Sequence, residues 1–302
     1  RGFLRTGCNG MQSGGNCIVV PGLFWSQSSG RGCSHGCIAP CENRQGVSKP
    51  DWIKHPVAGS HSVGSFAVDD FRPQFAGHET FPIRSLWLKK AYDEAVSSKN
   101  RNIFTAADAV VRFGVGKNMA HAMRHWGLAS GFIEDNGATF EPTTLGRAVF
   151  DEECGVDPYL EHPGSLWLLH LALAGTPEMT TTWYWAFNVY GSLSFDRDAL
   201  TRGLLSLAEV RGWKRVAPVT IKRDVDCFVR SYVSRGRGAM IEDAIEPVLV
   251  ELGLVRPSAI GDAFEFVRGP KASLPDVVFA IALSRFWQAE HREAATLSAE
   301  AA

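Results

Sequence analysis

The sequence predicts a mainly α-helical protein with short β-ribbons, and three observations predict it. Apolar residues recur at helical spacing through most of the chain beyond Phe71. Ribbon-like runs are short and bordered by Asn, Gly or Pro, as in NGATFEPTT (136–144) and DAFEFVRGPK (262–271). Tryptophan (9) and phenylalanine (18) are abundant, and they concentrate in the apolar helical runs, where they are most simply core.

The elements follow in order. Residues 1–62 are Gly/Ser-rich, carry few charges and lack periodic apolar residues, so they read as disordered or as an over-extended reading frame with translation starting near Val63. Five of the seven cysteines lie there. Cys33, His35, Cys37 and Cys41 could hold zinc, although their spacing matches no familiar zinc ribbon or finger. From Phe71 the chain begins extended and turns helical near Ser85, with Leu86, Leu88, Ala91 and Tyr92 apolar. A helix over 105–114 follows, with Thr105 as N-cap and Asp108 three residues on.

The stretch FGVGKNMAHAMRHWGLASGFIED (113–135) has two readings. A phosphate-cradling loop needs a glycine five positions before Gly116 and a hydroxyl after Lys117, but Val111 and Asn118 stand there. The helical reading fits better. Met119, Met123, Trp126 and Ile133 form an apolar stripe, and Asn118, His121 and His125 lie on another face beside Lys117 and Arg124. Such a face suits a DNA groove, and equally a solvated helix surface. Helix, turn, helix and ribbon in this order make a winged-helix-like unit over 63–150.

Residues 151–302 read as a helical, aromatic-rich domain with a second such unit. Trp167, Leu168, Leu171, Trp183, Trp185 and Phe187 mark two apolar helices, and Ser194 stands at an N-cap position before an amphipathic one. In 216–238, Ile221, Val225, Phe228 and Tyr232 form the buried stripe, with Lys222, Arg223, Asp226 and Arg230 outside it. A helix is expected to end at Gly253, DAFEFVRGPK is the second wing, and a last helix closes the chain. Cys154 and Cys227 are expected to be buried thiols, and His162 and His170 core or boundary residues.

Composition bounds the function. No apolar run of about 18 residues is present to cross a membrane. No secretory leader opens the chain, so the cytoplasm is the expected location. The net charge of -1 weighs against nucleic-acid binding. Charge is unevenly distributed, however: 151–200 is acidic and 201–240 strongly basic, and local basic surfaces attract phosphates despite a neutral total.

Six phrases, GHETFPIRSLWLKKAYD, VGKNMAHAMRHWGLASGFIE, DPYLEHPGSLWLLH, TTWYWAFN, TIKRDVDCFVRSY and IEDAIEPVLVELGLV, run in order through 71–290. Together they resemble the SspB-like family found beside bacterial DNA-phosphorothioation genes. The resemblance implies a part in DNA sulfur modification for phage defence, and association with DNA nicking. It also implies double-stranded DNA, a cysteine desulfurase, an ATP pyrophosphatase and an ATPase as partners.

Nicking requires a nucleophile and commonly a carboxylate-held metal, Mg²⁺ or Mn²⁺. No familiar nuclease constellation is present. The adjacent His78 and Glu79 could serve as base and metal ligand, with Arg84 neutralising a phosphate; a helix cap and a packing histidine are the plainer alternative. Asp226 could act beside Lys222, Arg223 and Arg230, or simply pair with Arg223 and Arg230. Glu242, Asp243 and Glu246 read as an acidic helix start. The readings left open are a metal-dependent nickase, a non-catalytic DNA-binding adaptor and a winged-helix regulator.

Overall fold

The structure is a computed structural model, and it describes residues 71–234, 247–259 and 261–291 together with 293, 294, 296 and 298. The cysteine-rich segment and Glu242, Asp243 and Glu246 lie outside these residues. The described chain is mainly α-helical with small antiparallel sheets of two and three strands.

Helix α1 (Ser85–Ser97) buries Trp87, Leu88, Ala91, Tyr92 and Ala95. Leu86, expected on that stripe, is exposed, and Trp87 takes its place because the buried face is turned by one residue. Helix α2 is shorter than its sequence pattern suggests, spanning Ala109–Phe113. Its N-cap is Asp108, and the Thr105 hydroxyl bonds back to Asn102 instead. Gly114 ends α2 in the left-handed region (φ 65°), a conformation that favours glycine. Gly116 is then the N-cap of α3 (Lys117–Ala129), so the GVG stretch is a helix-to-helix turn. Met123 and Trp126 of α3 are fully buried with Ile133, and Met119 packs half-buried beside them. Each large buried side chain of this kind contributes about 1.5–3 kcal/mol.

Strands β1 (Ile133–Asp135) and β2 (Phe140–Pro142) pair antiparallel, with Ile133 opposite Pro142. Their turn is fixed by Asn136, whose Oδ1 accepts from the amides of Ala138 and Thr139, while Gly137 takes φ 88°. Helix α4 (Thr144–Phe150) starts at Thr143, whose hydroxyl accepts from the Gly146 amide.

Helices α5 (Pro163–Gly175) and α6 (Thr181–Asn188) are apolar, as their aromatics suggest; Trp167, Trp183 and Trp185 are buried. His162 caps α5 through the Gly164 amide, and His170 is buried with Nδ1 2.9 Å from the Tyr232 hydroxyl. The N-cap of α7 (Arg197–Val210) is Asp196, not Ser194, which lies in the two-residue strand β3 (Ser194–Phe195). Helix α8 (Pro218–Tyr232) buries Ile221, Val225, Phe228 and Tyr232 as expected, and Asp224 with them. The described part of the next segment is a 3₁₀ turn, Val250–Leu252, ending at Gly253. Strands β4 (Val255–Pro257) and β5 (Phe264–Phe266) form the second ribbon; β3 joins it in the order β3-β5-β4. Helix α9 (Asp276–Glu290) packs on α5. Cys227 is buried, but Cys154 is exposed beside Asp151, on the turn after α4.

Candidate functional site

The residues that draw attention converge where the loop 74–81 crosses α3, α6 and α8. Ala76 (φ 58°), Glu79 (φ 49°) and Thr80 (φ 71°) all occupy the left-handed region although none is glycine. Each such residue stores strain of about 1–3 kcal/mol that the surroundings must hold in place. The surroundings do so through six bonds. Asp224 Oδ1 accepts from the Ala76 amide at 2.6 Å and from His78 Nε2 at 2.7 Å. The Thr80 amide donates to His78 Nδ1 at 3.1 Å, and Arg230 Nη1 to the Thr80 carbonyl at 3.2 Å. From the other side, Thr181 Oγ1 accepts from the Gln74 amide, and Trp126 Nε1 donates to the Phe81 carbonyl.

Asp224 is the anchor of this arrangement. It is 2% exposed on the core stripe of α8, and its second oxygen, Oδ2, has no hydrogen-bond partner. His78 is 1% exposed and stacks on Trp126 with the planes 11° apart. Burial works against a charge on His78, while the Asp224 carboxylate favours one. Burial pushes the Cys227 thiol up, so the thiol stays protonated. In the observed geometry the Thr80 amide requires a lone pair on Nδ1, which selects the Nε2–H tautomer; a second proton requires that amide to turn away.

His125 sits beside His78, their ring centres 5.9 Å apart. It was expected on the exposed face with Asn118 and His121, but it is buried, and neither ring nitrogen has a partner. The reason is Gly77, whose backbone lies against the ring: a Cβ there would stand 2.5 Å from His125 Nδ1 and from Gln74 Nε2. Burial first, and the neighbouring His78 second, lower the His125 pKa to about 3. Gly77→Ala should therefore lift the loop from α3 and destabilise the fold by about 1–3 kcal/mol. It should also return His125 toward its ordinary titration near pH 6.5, read from the imidazole proton resonances.

Glu79 points the other way. Its side chain is 42% exposed, and Oε1 lies 3.8 Å from Nδ1 of His121, which is 30% exposed. The imidazole beside Glu79 is thus that of His121, and His78 is sealed beneath the loop. Glu79 does not cap α1; the N-cap is Arg84, which makes no capping bond and lies over the Trp87 ring at 4.7 Å. On α3, Lys117, Asn118 and Arg124 are exposed, Arg124 lying over Phe140 at 5.5 Å. On α8, Lys222 and Arg223 are exposed. Asp226 pairs at 3.0 Å with Arg197 of α7, not with its own helix neighbours.

Among the described residues, no group of three or more His, Cys, Asp or Glu side chains could hold a metal ion. The exposed Glu79 carboxylate fits a cation whose shell is completed by water and substrate oxygens, which is how Mg²⁺ is commonly held. No helix of the described residues is long and apolar enough to cross a membrane.

All of this loop but Gln74, and the helices that clamp it, lie within residues 75–301, which match the family described as Protein of unknown function (DUF4007); the chain belongs to that family. Two solved structures carry the likeness to SspB. "Magnesium ion-bound SspB crystal structure" is 34% identical with a TM-score of 0.62. "SspB crystal structure" is 34% identical with a TM-score of 0.61. Each alignment covers 73% of this chain and 64% of the SspB chain, so the chain spans less than two thirds of the length it matches. No curated protein matched.

Proposed function

We propose that this chain is the DNA-binding component of a bacterial phosphorothioation system and that it nicks DNA at the 76–80 loop. The observation that carries this reading is the strained loop, held from beneath by His78 and Asp224, which presents Glu79 beside His121. The likeness to SspB supports a place in such a system; in this reading its partners are a cysteine desulfurase, an ATP pyrophosphatase and an ATPase, and it works in the cytoplasm.

In this proposal Glu79 takes a proton from the water that attacks phosphorus. The bond between phosphorus and the departing sugar oxygen breaks, and the proton reaches that oxygen from His121 Nδ1, the ring nitrogen that faces Glu79, since Nε2 is buried. Catalytic contacts of this kind are often long before substrate binds, as the 3.8 Å separation is. Mg²⁺ or Mn²⁺ at Glu79 would polarise the phosphate. Arg84 and Arg230 flank the loop and supply positive charge to the phosphate. Helix α3 with the β1–β2 ribbon acts as a winged-helix unit, offering Lys117, Asn118, His121 and Arg124 to the duplex, while Lys222 and Arg223 of α8 extend the contact.

Supercoiled plasmid incubated with the protein and Mg²⁺ or Mn²⁺ is expected to become open circular. Glu79→Gln should slow this at least 100-fold, a loss in the range expected for an acid–base group. A shifted but still supercoiled plasmid would establish a non-catalytic adaptor instead.

A further inference from the structure

We propose that the cleft between α8, the start of α7 and the β4–β5 ribbon seats one unpaired nucleotide. The proposal rests on the nicking proposal only for what lies beside the cleft. The cleft has a volume of about 540 Å³ and is lined by Arg197, Asp226, Val229, Arg230, Val233 and Phe264 among others. That volume is within the roughly 300–1,000 Å³ usual for small-ligand sites. Its walls combine apolar side chains with two guanidinium groups, the chemistry that a base and its phosphate require.

Arg197 is prearranged for stacking. Its guanidinium carbon lies 4.8 Å over the Phe264 ring, and its Nε lies 3.0 Å from Asp226 Oδ1 in an ion pair. The ring supports the group and the carboxylate fixes its orientation, so a planar cation lines the cleft. Arginine planes and aromatic rings are the platforms on which unstacked bases settle. Arg230 connects the cleft to the loop, since it lines the first and bonds to Thr80 in the second. A base stacked at Arg197 would carry its phosphate toward Arg230 and on toward Glu79. A base inside a duplex is already stacked on both sides and must first be extruded, at a cost of a few kcal/mol. The cleft therefore favours single strands or locally opened duplex.

The test is fluorescence anisotropy of the whole protein with labelled oligothymidylate and with a duplex of equal length. No divalent cation is added, so that nothing is cleaved. The single strand should bind through the cleft, so its affinity should depend on Arg197, and that of the fully paired duplex should not. Arg197→Ala should weaken single-strand binding about 10-fold, and Arg197→Lys, which keeps the charge without the plane, nearly as much. Both variants should melt within a few degrees of the wild-type protein, since the half-exposed Arg197–Asp226 pair is worth at most about 1 kcal/mol. Thymidine monophosphate that competes as well as the oligonucleotide would assign the same site to a free nucleotide; weak competition assigns it to a strand. Wild-type single-strand affinity in Arg197→Lys, or an equal loss of affinity for the duplex, would overturn the proposal. Strand binding through Arg197 without any nicking would leave it standing and remove only the nicking proposal.

Discussion

Asp224→Ala should lower the folding stability by about 2–6 kcal/mol, the cost of stranding two buried donors. The carboxylate accepts from the Ala76 amide and from His78 Nε2 through the same oxygen. Alanine leaves both donors buried without an acceptor, and each lost bond of this kind costs about 1–3 kcal/mol. The strain at Ala76, Glu79 and Thr80 then has nothing to oppose it, and the loop relaxes. Asp224→Asn keeps one oxygen for both donors and puts its amide at the unpartnered Oδ2 position, so it should be the milder change. Urea unfolding with circular dichroism measures both. A loss below about 1 kcal/mol in Asp224→Ala would show that the loop is held without this anchor.

Acid should unfold the protein well before its carboxylates are neutralised. His125 and His170 are both buried and neutral, with pKa values lowered to about 3, by burial in each case and by His78 also at His125. In the unfolded chain each titrates near 6.5. The unfolded state thus binds more protons below that value, so the stability these residues contribute is present above about pH 6.5 and is lost as the pH falls toward 3. Between pH 6 and pH 5 the two together should remove roughly 2 kcal/mol. Urea midpoints measured from pH 7.5 to pH 5 should fall steadily on the acid side. A flat profile over that range would mean that the two histidines take up protons without unfolding.

The helices were legible where the apolar period was long. Ile221, Val225, Phe228 and Tyr232 on α8, and Met123 and Trp126 on α3, are buried as their spacing requires. Single polar residues on those helices were harder to read. Asp224 lies at the helical interval between Ile221 and Phe228, on the core stripe, yet its neighbours Lys222, Arg223 and Asp226 make it look like part of a solvated basic face. Its partner His78 is 146 residues away, so nothing local could pair them. His125 shares a helical face with Asn118, but Gly77 from the loop covers that end of the face, a tertiary fact with no trace in the periodicity. The GHET stretch was recognisable as a candidate centre. Which of its two ionisable residues faces outward was decided by backbone strain and by α8. The strand β3 has two residues and leaves no pattern, so its serine was read as a cap.

The most direct test of the proposed centre is a double-mutant cycle on nicking. Single-turnover conversion of supercoiled plasmid would be followed for the wild-type protein, Glu79→Gln, His121→Ala and the double variant. Residues that move one proton as a unit lose nearly everything with the first substitution, so the double variant should be scarcely slower than either single one. Losses that multiply, or nicking at the wild-type rate in either single variant, would contradict a shared role for Glu79 and His121 and move the chemistry elsewhere in the chain.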